Sequence, residues 1–192
     1  VIMVNDSKKI TIEPYQTTMD TINDSSYRSK VLNNKINQMT SDKLDPLKRL
    51  DYFSFYALNS PFIYHYNGTS LYSSIFNGQI LKYYDKTMQI NMPVDKNSTY
   101  RYLGNRANLM ALWNVQDRLR HPNDLNIPYG FKKKDLIKDG KDQWIHSKNT
   151  ISYPSAHITH KVYNSNDLKS PLDREQAMLQ GVVFDNNKKS AN

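Results

Sequence analysis

The sequence predicts an α+β fold, in which an antiparallel β-meander at about 62–92 is packed by two or three helices, with irregular N- and C-terminal arms. Three observations carry this expectation. Two Asn-Gly pairs, Asn67-Gly68 and Asn77-Gly78, separate the short runs 62–66, 69–76 and 79–84. Asn-Gly tolerates positive φ, which matches the twist of a two-residue hairpin, so two such pairs predict consecutive hairpins. On either side of these runs, segments 46–58 and 106–120 place apolar residues at helical spacing.

Taken in order, residues 1–30 mix Thr, Asp, Ser and Asn around one alternating piece, 9–13, and read as an edge strand and an extended arm. Val31, Leu32, Ile36 and Met39 fall near helical spacing, against which the Asn33-Asn34 pair weighs. Asp45-Pro46 is a helix-start signal, because Asp can accept from free amides and Pro at the first helical position loses no hydrogen bond. It predicts a helix over 46–58, with Leu47, Leu50 and Ala57 on one stripe and Asn59-Ser60-Pro61 as its stop. In the last meander run Met88, Ile90 and Met92 alternate with polar residues. Leu109, Leu112, Trp113, Gln116 and Leu119 then predict a helix over 106–120, ending before His121-Pro122. Ser170, Pro171, Asp173 and Gly181 punctuate a final short helix as cap, first position, capping-box partner and stop. The resulting division is an extended arm at 1–30, a single α+β domain at 31–181 and a flexible tail at 182–192.

Composition narrows the chemistry. The chain has 192 residues and no cysteine, which excludes disulfides, Cys-ligated zinc, iron–sulfur clusters and thiol catalysis. No apolar run approaches the roughly 18 to 20 residues that span a bilayer. Net charge is +8, and residues 101–150 hold ten Lys and Arg against five Asp. Such a concentrated positive field suits a phosphate-rich partner, since binding it releases counterions.

The string Ser152-Tyr153-Pro154-Ser155-Ala156-His157 resembles the central P-S-G-H motif of the phosphatidic-acid phosphatase and vanadium haloperoxidase superfamily. That resemblance implies a phosphate-ester enzyme in which backbone and His157 hold a phosphate oxyanion. It covers about six residues, Ala156 stands where the family has Gly, no histidine follows His160, and the family's Lys-x6-Arg-Pro motif is absent. His157-Ile158-Thr159 likewise matches one half of a paired H-x-T pattern whose other half is missing. A metal held by His146, His157 and His160 is disfavoured, because residues three apart on a strand point to opposite faces. The segment therefore reads as a strand carrying a solvated histidine. No Gly-rich phosphate loop, nucleophile elbow or EF-hand pattern is found, and the two Glu and scattered Asp give acid–base chemistry no address.

What remains is the basic segment. Arg118, Arg120, Lys132, Lys133, Lys134, Lys138, Lys141 and Lys148 are interleaved with Phe131 and Trp144, a mixture suited to phosphate contacts and base stacking. Asp124, Asp135, Asp139 and Asp142 work against it, and a solvated Lys loop around core aromatics is the competing account. The sequence reading settles on a non-enzymatic structural component of a large multi-subunit assembly, contacting RNA or DNA through these residues without cofactor or metal. A ribosome-like particle is the first expectation and a virion component the second, in an intracellular, organellar or virion setting rather than a secreted one. The other readings are the phosphate-ester enzyme and a protein-binding module using the Tyr-rich sheet.

Overall fold

A computed structural model describes residues 29–41, 45–53, 59–73, 75, 77–90, 99–100 and 102–184. The strand at 9–13, the arm up to residue 28 and the tail from 185 lie outside the described residues.

Helix α1 (Lys30–Thr40) begins where Ser29 accepts a hydrogen bond from the Leu32 amide at 3.0 Å, and Leu32, Ile36 and Met39 form its buried stripe. The Asn33-Asn34 pair is tolerated because both residues sit off that stripe. The principal sheet is built from β1 (Arg49–Phe53), β4 (Val115–Arg120), β5 (Phe131–Asp139) and β6 (Asp142–Asn149), in the order β1-β4-β6-β5. β1 pairs with β4 in parallel and the other neighbours are antiparallel. Between β5 and β6 the chain reverses at Gly140, whose φ of 58° is the left-handed conformation that glycine adopts without strain.

Register assigns the two faces of the sheet. Leu119 stands opposite Tyr52 and His146, and Ile137 opposite Trp144, so these side chains share the face that α1 covers. There Leu32, Ile36, Met39, Leu50, Tyr64, Leu119 and Ile137 form one core. A second core gathers Tyr84, Met88, Ile90, Leu103, Leu109, Met110, Val115 and Phe131 where β4 and β5 begin.

The fold is α+β, but the described residues of 62–92 form no meander; residues 91 and 92 of the last expected run lie outside the described residues. That region forms α2 (Ser60–Tyr64), the short strand β2 (Leu71–Tyr72), α3 (Gly78–Lys82) and a π-helical turn (Tyr83–Thr87), and β2 pairs with β3 (Thr99–Tyr100). Neither Asn-Gly pair makes a hairpin. The Asn67 side chain donates to the carbonyls of Pro46 and Lys48, and Asn77 caps α3 by accepting from the Gln79 amide at 2.9 Å. The expected helix at 46–58 is replaced by a turn at 46–47 and the strand β1, while 54–58 lie outside the described residues. No helix starts there for Asp45 to cap; its carboxylate accepts from Asn114, Gln116 and Ser155 as well as from the Leu47 amide. The expected helix at 106–120 is split into α4 (Ala107–Leu112) and β4, with Asn114 at φ 52° as the break.

The final helix, α5 (Pro171–Gln180), has the expected punctuation, with Ser170 and Asp173 forming a reciprocal capping box. Val182–Phe184, at the head of the expected tail, pair as β8 with β7 (Val162–Asn164). Arg106 joins Glu175 in an ion pair and Arg174 donates to the Thr87 carbonyl at 2.9 Å, which fastens α5 to the second core.

Candidate functional site

The expected nucleic-acid residues do not form one surface. Arg118 and Arg120 are buried on β4. Arg118 donates to Asp51 at 2.7 Å and to the Asn126 carbonyl at 3.2 Å, while the Thr69 hydroxyl donates to the other oxygen of Asp51. Arg120 donates to the Asp124 carbonyl. Phe131 belongs to the second core, and the half-buried Trp144 donates to the Tyr52 hydroxyl at 2.7 Å. That hydroxyl, mostly withdrawn from water, has its pKa pushed up to about 12 by burial. Lys132, Lys133, Lys134, Lys138, Lys141 and Lys148 are exposed. The pleat divides them: Lys132 opposes Lys148 on the α1 side, whereas Lys133 opposes Ser147 on the other. β5 is also the sheet's edge, where lysines discourage pairing with another strand.

The structure brings Lys134 and Lys148 together with Lys35, Lys48 and Asp117, which the sequence does not single out, and with His146, which it offers only as a metal ligand. A polar cleft of about 290 Å³ lies at the C-terminal end of α1, lined by Lys35, Lys48, Lys134, Lys148, Asp117 and His146, with Gln38, Met39 and Ser41 closing one side. Its four lysines come from four places in the fold: α1, the residue before β1, the bulge in β5, and β6. Below them His146 is buried, its Nε2 2.7 Å from Asp117 and its Nδ1 3.2 Å from Asp135. Lys35 contacts the same Asp135 oxygen at 2.8 Å. Hydrogen bonds from Lys35 and His146 hold the Asp135 carboxyl below its ordinary pKa.

These contacts fix the floor of the cleft. Both imidazole nitrogens of His146 face carboxylate oxygens. Among the described residues four lysines and the carboxylates of Asp117 and Asp135 surround the cleft, and Lys35 is paired with Asp135. A second concavity of about 420 Å³, lined by Arg49, Ile80, Tyr83 and Trp113, is mostly apolar, with the Arg49 guanidinium 5.3 Å from the Trp113 ring centroid.

The segment around His157 is not the expected strand; 151–161 has no regular secondary structure. Ser155 donates to Asp45 and Tyr153 donates to the Leu179 carbonyl, so the motif residues strap this segment to the fold. His157 is exposed, its ring packed edge-on against Tyr153. Among the described residues no group of three or more His, Asp or Glu could hold a metal ion.

Comparison with known proteins changes the functional frame. The family described as "Bacterial membrane protein YfhO" matches residues 2–191. A Bacillus subtilis (strain 168) protein, "Uncharacterized protein YfhO", is 31% identical over 170 residues, which are 87% of this chain and 19% of that protein. The chain thus spans about a fifth of the length of this curated relative. No solved structure matches it. Among the described residues no helix is long and apolar enough to cross a membrane. A family of bacterial membrane proteins overturns the expected ribosome-like or virion component, the nucleic-acid partner and the organellar or virion setting. Basic charge misled because it marks affinity for anions in general, of which nucleic acid is one. The chain belongs to the YfhO family of bacterial membrane proteins.

Proposed function

We propose that the chain is an extramembrane domain of a bacterial membrane protein, and that its lysine-rimmed cleft binds a small anion of the phosphate class. The observation that carries this reading is the convergence of Lys35, Lys48, Lys134 and Lys148 on one cleft above the Asp117–His146 pair. Lys134 and Lys148, exposed on neighbouring strands, would meet such an anion with their ammonium groups. At about 290 Å³ the cleft suits a headgroup-sized ligand, near the lower bound of roughly 300 Å³ for small-molecule sites. Both ring nitrogens of His146 are engaged by carboxylates, which favours a rigid binding floor over proton transfer to a ligand.

The test is calorimetric titration with inorganic phosphate at constant ionic strength, with chloride as the reference anion. Removing two rim charges in Lys134→Ala/Lys148→Ala should weaken phosphate binding about tenfold or more, a loss expected of charge-assisted hydrogen bonds. Both lysines are exposed, so the melting temperature should hold. Phosphate affinity equal in the two proteins, or no heat of binding at millimolar phosphate, would refute the site.

A further inference from the structure

The loop 121–129 joins β4 to β5 and turns three apolar side chains outward at every second position. Leu125 is 85% exposed, Ile127 50% and Tyr129 81%. Burial of apolar surface is the main gain of folding, so a loop that spends three such residues on solvent while being held in place calls for a partner. The loop is held from beneath. Buried Arg118 donates to the Asn126 carbonyl, buried Arg120 donates to the Asp124 carbonyl, and the Asp124 carboxylate accepts from the Asn126 amide at 2.9 Å. Pro128 is buried and its carbonyl accepts from the Phe131 amide. The exposure of Leu125, Ile127 and Tyr129 is thus fixed by the interior of the domain.

Charge identifies the occupant. Beyond Tyr129 the chain enters the edge strand β5 with Lys132, Lys133 and Lys134 exposed, followed by Leu136, 42% exposed, and Lys138. Apolar side chains ending in a tyrosine, with exposed lysines next along the chain, match a bilayer surface, where aromatic rings settle at headgroup level and lysines meet anionic lipid. A membrane surface is always beside this chain if it is an extramembrane domain of a family of membrane proteins whose relative is about five times its length.

We infer that the 121–129 loop is an interfacial anchor: Leu125, Ile127 and Tyr129 enter the headgroup region of an anionic bilayer, with Lys132 and Lys133, the first lysines after the loop, near its phosphates. The inference rests on the extramembrane placement proposed above and not on the cleft.

The absence of cysteine allows a clean test. Leu125→Cys, labelled with an environment-sensitive fluorophore, is titrated with phosphatidylglycerol vesicles and with phosphatidylcholine vesicles, and Asn166→Cys serves as the control label. The expected result is a blue shift at position 125 on the anionic vesicles alone, with little change at 166. In co-sedimentation of the unlabelled chain, Ile127→Ser/Tyr129→Ser should raise the lipid concentration for half-maximal binding about tenfold. An unshifted label at 125 up to millimolar anionic lipid, an equal shift on both vesicle types, or binding indifferent to the double Ser change overturns the anchor. Phosphate titration of Ile127→Ser/Tyr129→Ser separates the two proposals, because affinity for the cleft should be unchanged there even if the anchor fails.

Discussion

Replacing Arg118 by Met tests whether the domain is held by a buried ion pair. Arg118 and Asp51 both have fully buried side chains, 2.7 Å apart at Nη1–Oδ2. Burial raises the Asp51 pKa, and the Arg118 guanidinium and Thr69 hydroxyl oppose that rise. Without the guanidinium, a carboxylate is left in a dry site, which costs about 3 to 5 kcal/mol in comparable pairs. The variant can limit the loss by protonating Asp51. A carboxyl whose pKa is raised by folding stabilises the protein below its unfolded value near 3.8 and loses that contribution as pH rises through the folded value. The Arg118→Met penalty should therefore be largest at neutral pH and shrink on acidification, by at most about 1.4 kcal/mol per pH unit. Urea unfolding, followed by the fluorescence of Trp113 and Trp144 at pH 7 and pH 5, measures both quantities. Adding Asp51→Asn should recover part of the loss, because it removes the stranded charge. A penalty under about 1 kcal/mol at neutral pH, the range of surface pairs, would refute the reasoning.

Two further outcomes follow from local geometry. Asp45 and Asp135 have depressed pKa values, owing first to the hydrogen bonds from Ser155 and Lys35 respectively. Their stabilising contribution is complete above the ordinary value of 3.8 and is lost as pH falls through the lower folded values, so Asp135→Asn should flatten the acid limb of a stability–pH profile; an unchanged limb contradicts this. A hairpin turn at Asn77-Gly78 would make Gly78→Val damaging, but Gly78 opens α3 with nothing near its Cβ position, so melting should barely change. Gly181→Ala should instead cost about 1 to 3 kcal/mol, because its Cβ would collide with the Lys161 carbonyl oxygen; equal melting temperatures for both variants would contradict the pair.

How far the fold was legible depends on whether a signal is local. The capping box of α5 closes within four residues, and the stripe of α1 within eight, so both can be read from the chain. Asp45-Pro46 fails because the partners of Asp45 arrive from Asn114, Gln116 and Ser155, about 70 to 110 positions away. Residues 109–119 satisfy a helical period, yet Asn114 turns left-handed and β4 follows with Asp117, Arg118 and Arg120 buried. A strand whose inward positions are charged shows no apolar alternation, so nothing in its composition reveals it. The cleft was hidden for the same reason: His146 stands out only once Asp117 and Asp135, 29 and 11 positions away, are known to flank it.

The basic character of the chain divides by residue type. Arg118 and Arg120 lie inside, donating to a carboxylate and to loop carbonyls, and Arg106 and Arg174 tie α5 to the second core. Guanidinium suits these positions, since its planar fork donates several bonds at fixed angles and tolerates partial dehydration. The lysines of β5 and β6 stay in water, whereas Lys48 at the cleft is buried. Among the described residues the basic groups at the surface are mostly ammonium: mobile, strongly hydrated, and suited to meeting phosphates without fixed geometry. Because buried Arg118 and Arg120 hold the 121–129 loop and exposed lysines of β5 follow it, one basic stretch of sequence supplies rigidity below the surface and positive charge at it.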